Sequence, residues 1–140
     1  MFAVIDLRRH LIGVAVMFAL LLWMSNLTSS PYKVREVDAT GARALMDAGA
    51  LVIDVRGQEQ FDARHIPGAI LMTVEELRRG IPASLLSEAK GRNIVVYCGR
   101  GITRSAEGTA LLNQAGFTGA VSLKGGIDGW AKAGMPIQNG

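Results

Sequence analysis

Residues 94–105 read IVVYCGRGITRS and join an apolar run to a polar, glycine-rich segment. The run Ile94 to Tyr97 is rich in β-branched residues, which is typical of a strand buried in a parallel sheet. Cys98 is the one cysteine of the chain and follows this run directly. Apolar residues then recur at helical spacing from Ser105 to Ala115. We therefore predict a strand, a short loop and a helix, with the cysteine where the strand ends.

The rest of the chain beyond residue 33 alternates between short β-branched runs and helical segments. Further strands are predicted at 33–37, 51–55 and 120–123, and the predicted helices are 42–48, 58–64, 74–79, 82–90, 105–115 and 127–133. This alternation predicts an α/β fold, a central parallel sheet flanked by helices on both faces, formed by residues 34–140. Ligands of such sheets bind beyond the carboxyl ends of the strands, where Cys98 and the segment from Asp54 to Arg56 both fall.

Residues 1–33 have a different character. The segment from Leu11 to Leu27 holds 17 residues without charge, which span roughly 25 Å as a helix. Arg8, Arg9 and Lys33 flank it and can reach the bilayer surface, so we predict a single transmembrane helix and a linker, with membrane contact through residues 11–27. A cleaved signal peptide remains the alternative, although Pro31 disfavours cleavage after Ser30. A buried core helix lacks an apolar partner elsewhere in the sequence.

Charge constrains the partners and the topology of the chain. The formal net charge is +3, but residues 34–140 carry 12 Lys/Arg against 11 Asp/Glu, dispersed along the domain. Nucleic-acid binding therefore has no electrostatic basis here. Arg8 and Arg9 abut the apolar segment and favour a cytoplasmic N-terminus, which places the domain on the other side of the membrane. A single cysteine forms no internal disulfide, and the oligomeric state is not determined.

The loop after Cys98 combines several features that favour a bound anion. Its two glycines let the backbone turn N–H groups inward, and the positive end of the following helix favours the thiolate over the thiol. Thr103 and Ser105 supply hydroxyl groups, either of which can cap that helix. Each feature alone also suits a buried thiol beside an ordinary turn, but together they predict a nucleophile in an anion-binding loop. The residues of this cradle loop are Gly99, Arg100, Gly101, Ile102, Thr103 and Arg104.

Three segments of the chain form a recognisable set: LVIDVRGQEQFDARHIPGAI at 51–70, IVVYCGRGITRSA at 94–106 and LKGGIDGWAKAGMP at 123–136. In this order they resemble the rhodanese-like domain family. The resemblance covers nearly all of the chain outside the predicted anchor. It implies an α/β fold around a parallel sheet, in agreement with the alternation of strands and helices.

The resemblance also implies a reaction. Cys98 would take a sulfane sulfur from a small anionic donor such as thiosulfate, and a thiol or cyanide would remove it from the persulfide. The cradle loop would hold the persulfide, with no metal and no cofactor. Asp54 and Arg56 match the strand-end Asp-x-Arg of the family, where a supporting role beside the loop and a structural ion pair are both open. His65 is interpreted as a turn residue rather than a base, and Trp130 as a packing residue.

One departure from the family leaves two other functions open. Many single-domain members have one residue fewer between the cysteine and the arginine, and the spacing Cys98-x5-Arg104 is similar to that of cysteine phosphatases. Phosphatase or arsenate reductase chemistry is therefore an alternative, although the loop has no carboxylate to protonate a leaving group. A tethered binding module without turnover is the third hypothesis, against which the retained Cys98 counts. The physiological donor and acceptor cannot be read from the sequence.

Overall fold

The structure is a computed structural model that describes residues 2–26 and 30–140. Residues 27–29, which include the end of the predicted span and the first residue of the predicted linker, lie outside the described residues. Five parallel strands form the main sheet in the order β1-β6-β5-β2-β4, and β3 pairs with β7 in a separate antiparallel ribbon. The strands are β1 Glu36–Val37, β2 Leu51–Asp54, β3 Arg64–His65, β4 Ile70–Leu71, β5 Ile94–Tyr97, β6 Ala120–Leu123 and β7 Gln138–Asn139.

Helices cover both faces of the sheet, which confirms the predicted α/β architecture. One face packs against α4, α5 and α6, with Val96 and Leu112 in its core, and the other packs against α2 and α7 around Tyr97 and Trp130. The helices are α1 Phe2–Asn26, α2 Ala39–Asp47, α3 Gln58–Ala63, α4 Val74–Arg79, α5 Ala83–Glu88, α6 Arg104–Gln114 and α7 Gly126–Lys132. Strand β5 lies in the middle of the sheet, so the residue that follows it is enclosed on both sides.

Helix α1 stands apart from this core. Its residues from Leu7 to Ser25 are apolar enough and numerous enough to cross a membrane, and none of their side chains is buried against the domain. Phe18 and Trp23, for example, are 63% and 62% exposed. Packing against the domain therefore buries none of these residues in this structure.

Several element boundaries differ from those predicted from the sequence. The first strand is limited to Glu36–Val37 because only these two residues pair with β6. Helix α2 begins at Ala39 rather than residue 42, because the Asp38 carboxylate accepts the N–H of Gly41 at 2.7 Å and caps the helix earlier. Strands β3, β4 and β7 were not predicted. Each has two residues, too few for a periodic pattern, and forms only because a partner strand lies beside it.

Candidate active site

Cys98 lies at the carboxyl end of β5, and its side chain is 7% exposed. The N–H of Gly101 donates to its Sγ at 3.2 Å, and the Sγ lies 3.4 Å from the Oγ of Ser105. A backbone amide of the cradle loop and a hydroxyl of α6 thus both contact the sulfur. This arrangement suits a sulfur that carries negative charge, since both groups can donate a hydrogen bond to it.

The start of α7 orients the cradle loop from outside. Ile127 N–H donates to the carbonyl of Cys98 at 2.9 Å, and Asp128 N–H donates to the carbonyl of Gly99 at 3.1 Å. In a trans peptide the N–H points opposite to the carbonyl, so the amides of Gly99 and Arg100 face away from α7. Neither amide has an acceptor within residues 2–26 and 30–140. Two backbone donors of the loop are therefore available to a bound anion.

A cavity of about 440 Å³ opens in front of the sulfur. Two exposed arginines, Arg100 and Arg104, and the largely buried Arg56 line it. Most of the predicted cradle loop meets here; the lining residues are Arg56, Gln60, Cys98, Gly99, Arg100, Ile102, Thr103 and Arg104. Gly101 contacts the sulfur from the loop backbone instead. The sequence did not single out Gln60, which reaches the cavity from α3 only through the tertiary fold.

The expected hydroxyl caps of α6 are wrong. Thr103 occupies the cap position, but its side chain makes no capping hydrogen bond. Ser105 lies in the first turn, fully buried, with its hydroxyl beside the Cys98 sulfur. Its side chain turns inward because β6 supplies a partner, Ser122, whose hydroxyl donates to Ser105 Oγ at 3.0 Å. Ser122 had no distinguishing signal in the sequence, because a single serine in a buried strand has no pattern.

The pair Ser105 and Ser122 forms a hydroxyl chain that ends at the sulfur. A hydroxyl has one hydrogen to donate, and the hydrogen of Ser122 goes to Ser105 Oγ. The hydrogen of Ser105 then remains free to point at a Cys98 thiolate. Ser122 thus orients Ser105 without contacting the sulfur itself.

We expect Ser122→Ala to slow the alkylation of Cys98 by iodoacetamide at neutral pH by about three- to tenfold, since one hydrogen bond is worth roughly 0.5–1.5 kcal/mol. The measurement is the alkylation rate of the full chain as a function of pH. Thr109→Ala is the matched control, because the Thr109 hydroxyl is equally buried but donates to the backbone carbonyl of Ser105 at 2.7 Å. Equal slowing in both variants would contradict an orienting role of Ser122.

Asp54 and Arg56 form a buried ion pair beside the cavity. The Nε of Arg56 donates to the two carboxylate oxygens of Asp54 at 3.0 and 3.1 Å, and its Nη2 donates to one of them at 2.7 Å. The same Nη2 also donates to the carbonyl of Arg64 at 2.7 Å. Burial alone would lower the pKa of Arg56, but the hydrogen bonds and the charge of Asp54 outweigh it and raise that pKa. The two residues form an ion pair in the structure, and Arg56 also lines the cavity; a supporting role beside the loop stays a prediction.

Asp54→Asn is expected to destabilise the domain by about 2 kcal/mol, because the buried guanidinium then loses its counter-charge. This loss of stability is smaller than for a fully enclosed ion pair, because Arg56 borders the open cavity. Denaturant unfolding of the purified full chain measures it. Asp47→Asn is the control, since Asp47 pairs with Arg43 in an exposed i,i+4 bridge worth less than about 0.5 kcal/mol. A loss for Asp54→Asn no larger than this control would contradict a stabilising buried pair.

Three aromatic or imidazole side chains lie away from the sulfur. Tyr97 packs on the opposite face of the sheet, where its hydroxyl accepts the N–H of Ile66 at 3.1 Å. Burial raises the pKa of Tyr97, and the nearby Asp54 raises it further, so the phenol stays neutral. The ring of His65 stacks on Phe61 and its Nδ1 lies 2.9 Å from the Phe61 carbonyl, outside the cavity wall. Trp130 is fully buried, as a packing residue should be.

Comparison with known proteins places this geometry in a family. The sequence model of the rhodanese-like domain matches residues 38–133. The chain is 40% identical over 103 residues to a probable adenylyltransferase/sulfurtransferase MoeZ of Mycobacterium tuberculosis, an alignment that covers 67% of this chain and 24% of MoeZ. It is 38% identical over 114 residues to thiosulfate sulfurtransferase 16, chloroplastic, of Arabidopsis thaliana, which covers 73% of this chain and 91% of the plant protein.

Solved structures agree with the sequence comparison. A thiosulfate sulfurtransferase from Pseudomonas aeruginosa superimposes with a TM-score of 0.66 at 30% identity, over 76% of this chain and 20% of that one. The chain thus spans about a quarter of the length of MoeZ and a fifth of the Pseudomonas protein, and matches the plant protein nearly end to end. With a parallel sheet that carries the cysteine at the end of its central strand, and with a family match over most of its length, the chain belongs to the rhodanese-like domain family.

Proposed function

We propose that this chain is a membrane-anchored sulfurtransferase that works through a persulfide on Cys98. The Cys98 thiolate attacks the outer sulfur of a donor such as thiosulfate, the S–S bond of the donor breaks, and sulfite leaves with the electron pair. An acceptor, a thiol or cyanide, then attacks the outer sulfur of the persulfide and returns the electron pair to the Cys98 Sγ. No metal, cofactor or separate base is needed for either step.

The contacts of the sulfur carry this proposal. Its Sγ already receives the N–H of Gly101, and the cavity before it presents the guanidinium groups of Arg100 and Arg104. A persulfide anion would extend into this cavity, toward the amides of Gly99 and Arg100 that lack acceptors. Donors placed in advance stabilise such a charge more strongly than water does, because they do not have to reorganise. The names of the plant and Pseudomonas relatives support thiosulfate as the donor.

The direct test is to trap the persulfide. The purified full chain in detergent is mixed with thiosulfate, and intact-mass spectrometry is expected to show the gain of one sulfur atom. Cyanide should then remove that sulfur as thiocyanate and restore the original mass. A chain that forms thiocyanate without ever carrying the additional sulfur would contradict the persulfide mechanism.

Phosphatase or arsenate reductase chemistry is the second candidate, because the spacing from Cys98 to Arg104 suits a tetrahedral anion. Phosphoester cleavage also needs an acid to protonate the leaving oxygen. Within the part of the chain that the structure describes, no carboxylate lines the cavity in front of the sulfur. Hydrolysis of an aryl phosphate, measured beside thiocyanate formation, decides between them. Phosphate release faster than thiocyanate formation would favour the phosphatase over the sulfurtransferase. Absence of activity in both assays would favour a binding module.

The anchor is a further part of the proposal. Helix α1 has 25 residues, and its 19-residue window Leu7–Ser25 spans about 28 Å, close to a hydrocarbon core of about 30 Å. Exposure of apolar side chains all around the helix is unfavourable in water and favourable in lipid. Resistance to carbonate extraction, with an intact N-terminus by mass, is expected for an anchor. Loss of the N-terminal residues would indicate a cleaved signal peptide instead.

Arg8 and Arg9 abut the proposed anchor and favour an orientation with residues 34–140 on the non-cytoplasmic side, against the opposing charges of Lys33 and Arg35. An impermeant thiol reagent should therefore label Cys98 in intact cells. Protection of a thiol that reacts in the purified chain would contradict this orientation.

A further inference from the structure

A second cavity lies on the other side of the cradle loop. It measures about 790 Å³, is open to solvent on one side and is lined by residues 30 and 32–36, by loop residues 100–102 and by the turn at 124–125. We call it the basic cavity. Residues 30–36 follow α1 and lie far before the cradle loop in sequence. They therefore meet the cradle loop only in the folded domain. The proposed mechanism uses only the cavity in front of the sulfur and leaves this one without a role.

The basic cavity concentrates positive charge that has no protein partner. Its wall holds Lys33, Arg35, Arg100 and Lys124, with Glu36 as the single carboxylate among the lining residues. All four cations are exposed, and none takes part in an ion pair within residues 2–26 and 30–140.

Four other arginines of the domain pair with carboxylates, whereas Arg79, Arg92 and Arg104 form no ion pair within residues 2–26 and 30–140. Arg56, Arg64 and Arg78, for example, pair with Asp54, Asp128 and Glu107. Cations gathered around a concave surface without such partners raise the local concentration of anions. The basic cavity is therefore suited to an anionic group.

Only residues 100–102 of the cradle loop, which we call its crest, separate the two cavities. Arg100 and Ile102 line both, and Gly101, whose N–H contacts the sulfur, also lines the basic cavity. Gly101 is three positions after Cys98 in the chain, so their Cα atoms cannot lie more than about 11 Å apart. A ligand that crosses the crest can place a sulfur before Cys98 and an anionic group in the basic cavity. Thiosulfate and cyanide are too short to do both.

We propose that the basic cavity binds the anionic end of an extended thiol, so that the sulfur acceptor carries carboxylate or phosphate groups several bonds from its sulfur. This rests on the proposed persulfide function. The acceptor thiolate attacks the outer persulfide sulfur, the S–S bond breaks toward Cys98, and the acceptor leaves as a persulfide. Its anionic end, held by Lys33, Arg35 and Lys124, directs the thiolate over the crest.

The kinetic test compares glutathione with glutathione diethyl ester, the same thiol without free carboxylates. The full chain is used in zwitterionic nanodiscs with thiosulfate as donor. For glutathione, kcat/KM is expected to fall about tenfold in the triple variant Lys33→Ala/Arg35→Ala/Lys124→Ala, because a few partly exposed ion pairs are lost. For the diester, which lacks free carboxylates, kcat/KM should change little. The control Arg79→Ala/Lys90→Ala/Lys132→Ala removes the same charge from exposed sites outside the cavity. Equal losses in both triple variants would overturn the proposal.

A binding test does not depend on sulfur transfer. Titration of S-methylglutathione into the Cys98→Ser chain is expected to show an affinity about tenfold lower when Lys33, Arg35 and Lys124 are also replaced. Unchanged affinity overturns the anionic-acceptor proposal even if sulfur transfer is found. Charge-dependent binding without any sulfur transfer overturns the proposed function and supports the cavity. If S-methylglutathione binds in zwitterionic nanodiscs but not in anionic ones, lipid phosphates occupy the basic cavity. That result would overturn the proposal that a thiol is its occupant.

Discussion

Cys98→Ser is expected to lower thiocyanate formation from thiosulfate and cyanide by at least about 10³-fold, as loss of a covalent nucleophile does in other enzymes. A serine hydroxyl is far less acidic than a thiol and forms no persulfide. The substitution replaces the sulfur by an oxygen, which can still form hydrogen bonds with Gly101 and Ser105. The fold should therefore survive, and the loss should appear in kcat rather than in protein yield.

The measurement is the initial rate of thiocyanate formation, with the thermal midpoint of unfolding recorded for the same sample. Because Cys98 is 7% exposed and serine is slightly smaller, only a modest change in that midpoint is expected. The matched control is Ser87→Ala on helix α5, which removes an exposed hydroxyl that does not line the cavity in front of the sulfur. Residual sulfur transfer above one tenth of the parent rate would show that Cys98 does not carry the sulfur.

Gly101→Ala is expected to reduce sulfur transfer by about 10²–10³-fold, the effect of losing one preorganised donor at a developing charge. Gly101 has a φ of +70°, and a Cβ there would lie 2.5 Å from the carbonyl oxygen of Leu123 and 2.6 Å from the nitrogen of Gly126. All of these contacts are to backbone, which cannot rotate away. The loop must shift, and the Gly101 N–H then moves from the Cys98 sulfur.

Gly99→Ala provides the control within the same loop. A Cβ at Gly99 has no neighbour within 4 Å, and its φ is not positive, so the substitution should cost less than about tenfold in rate. Activity and unfolding by denaturant are measured for both variants. We expect Gly101→Ala also to lose about 1–2 kcal/mol of stability from its left-handed backbone. Similar rates for both variants would contradict the role of the Gly101 amide.

Much of the site could be predicted because it is continuous in sequence. The strand Ile94–Tyr97, the glycine-rich loop and the following helix occupy one segment, and strand and helix have different hydrophobic periods. The predicted strand ends at its true residue, and the helix begins within one residue of its predicted start. Local pattern therefore sufficed to place Cys98 at the carboxyl end of a buried strand.

Contacts between distant segments could not be predicted in this way. Gly125 and Gly126 lie where β6 leads into α7, and nothing in the sequence marks them as the surface against which Gly101 packs. Ser105 was expected to cap α6, whereas its hydroxyl faces the sulfur because Ser122 of β6 lies beside it. These contacts depend on the order of β5 and β6 in the sheet, which is a long-range property.

The sequence by itself determined the alternation of strands and helices, the apolar N-terminal segment and the position of the cysteine in its loop. Each of these follows from residues close together in the chain, whose periodicity and backbone preferences act locally. Only the tertiary structure decided which side chains meet the sulfur and which cations enclose the basic cavity. That cavity is lined by residues 30, 32–36, 100–102 and 124–125, which come together only in the folded sheet, where β1 pairs with β6.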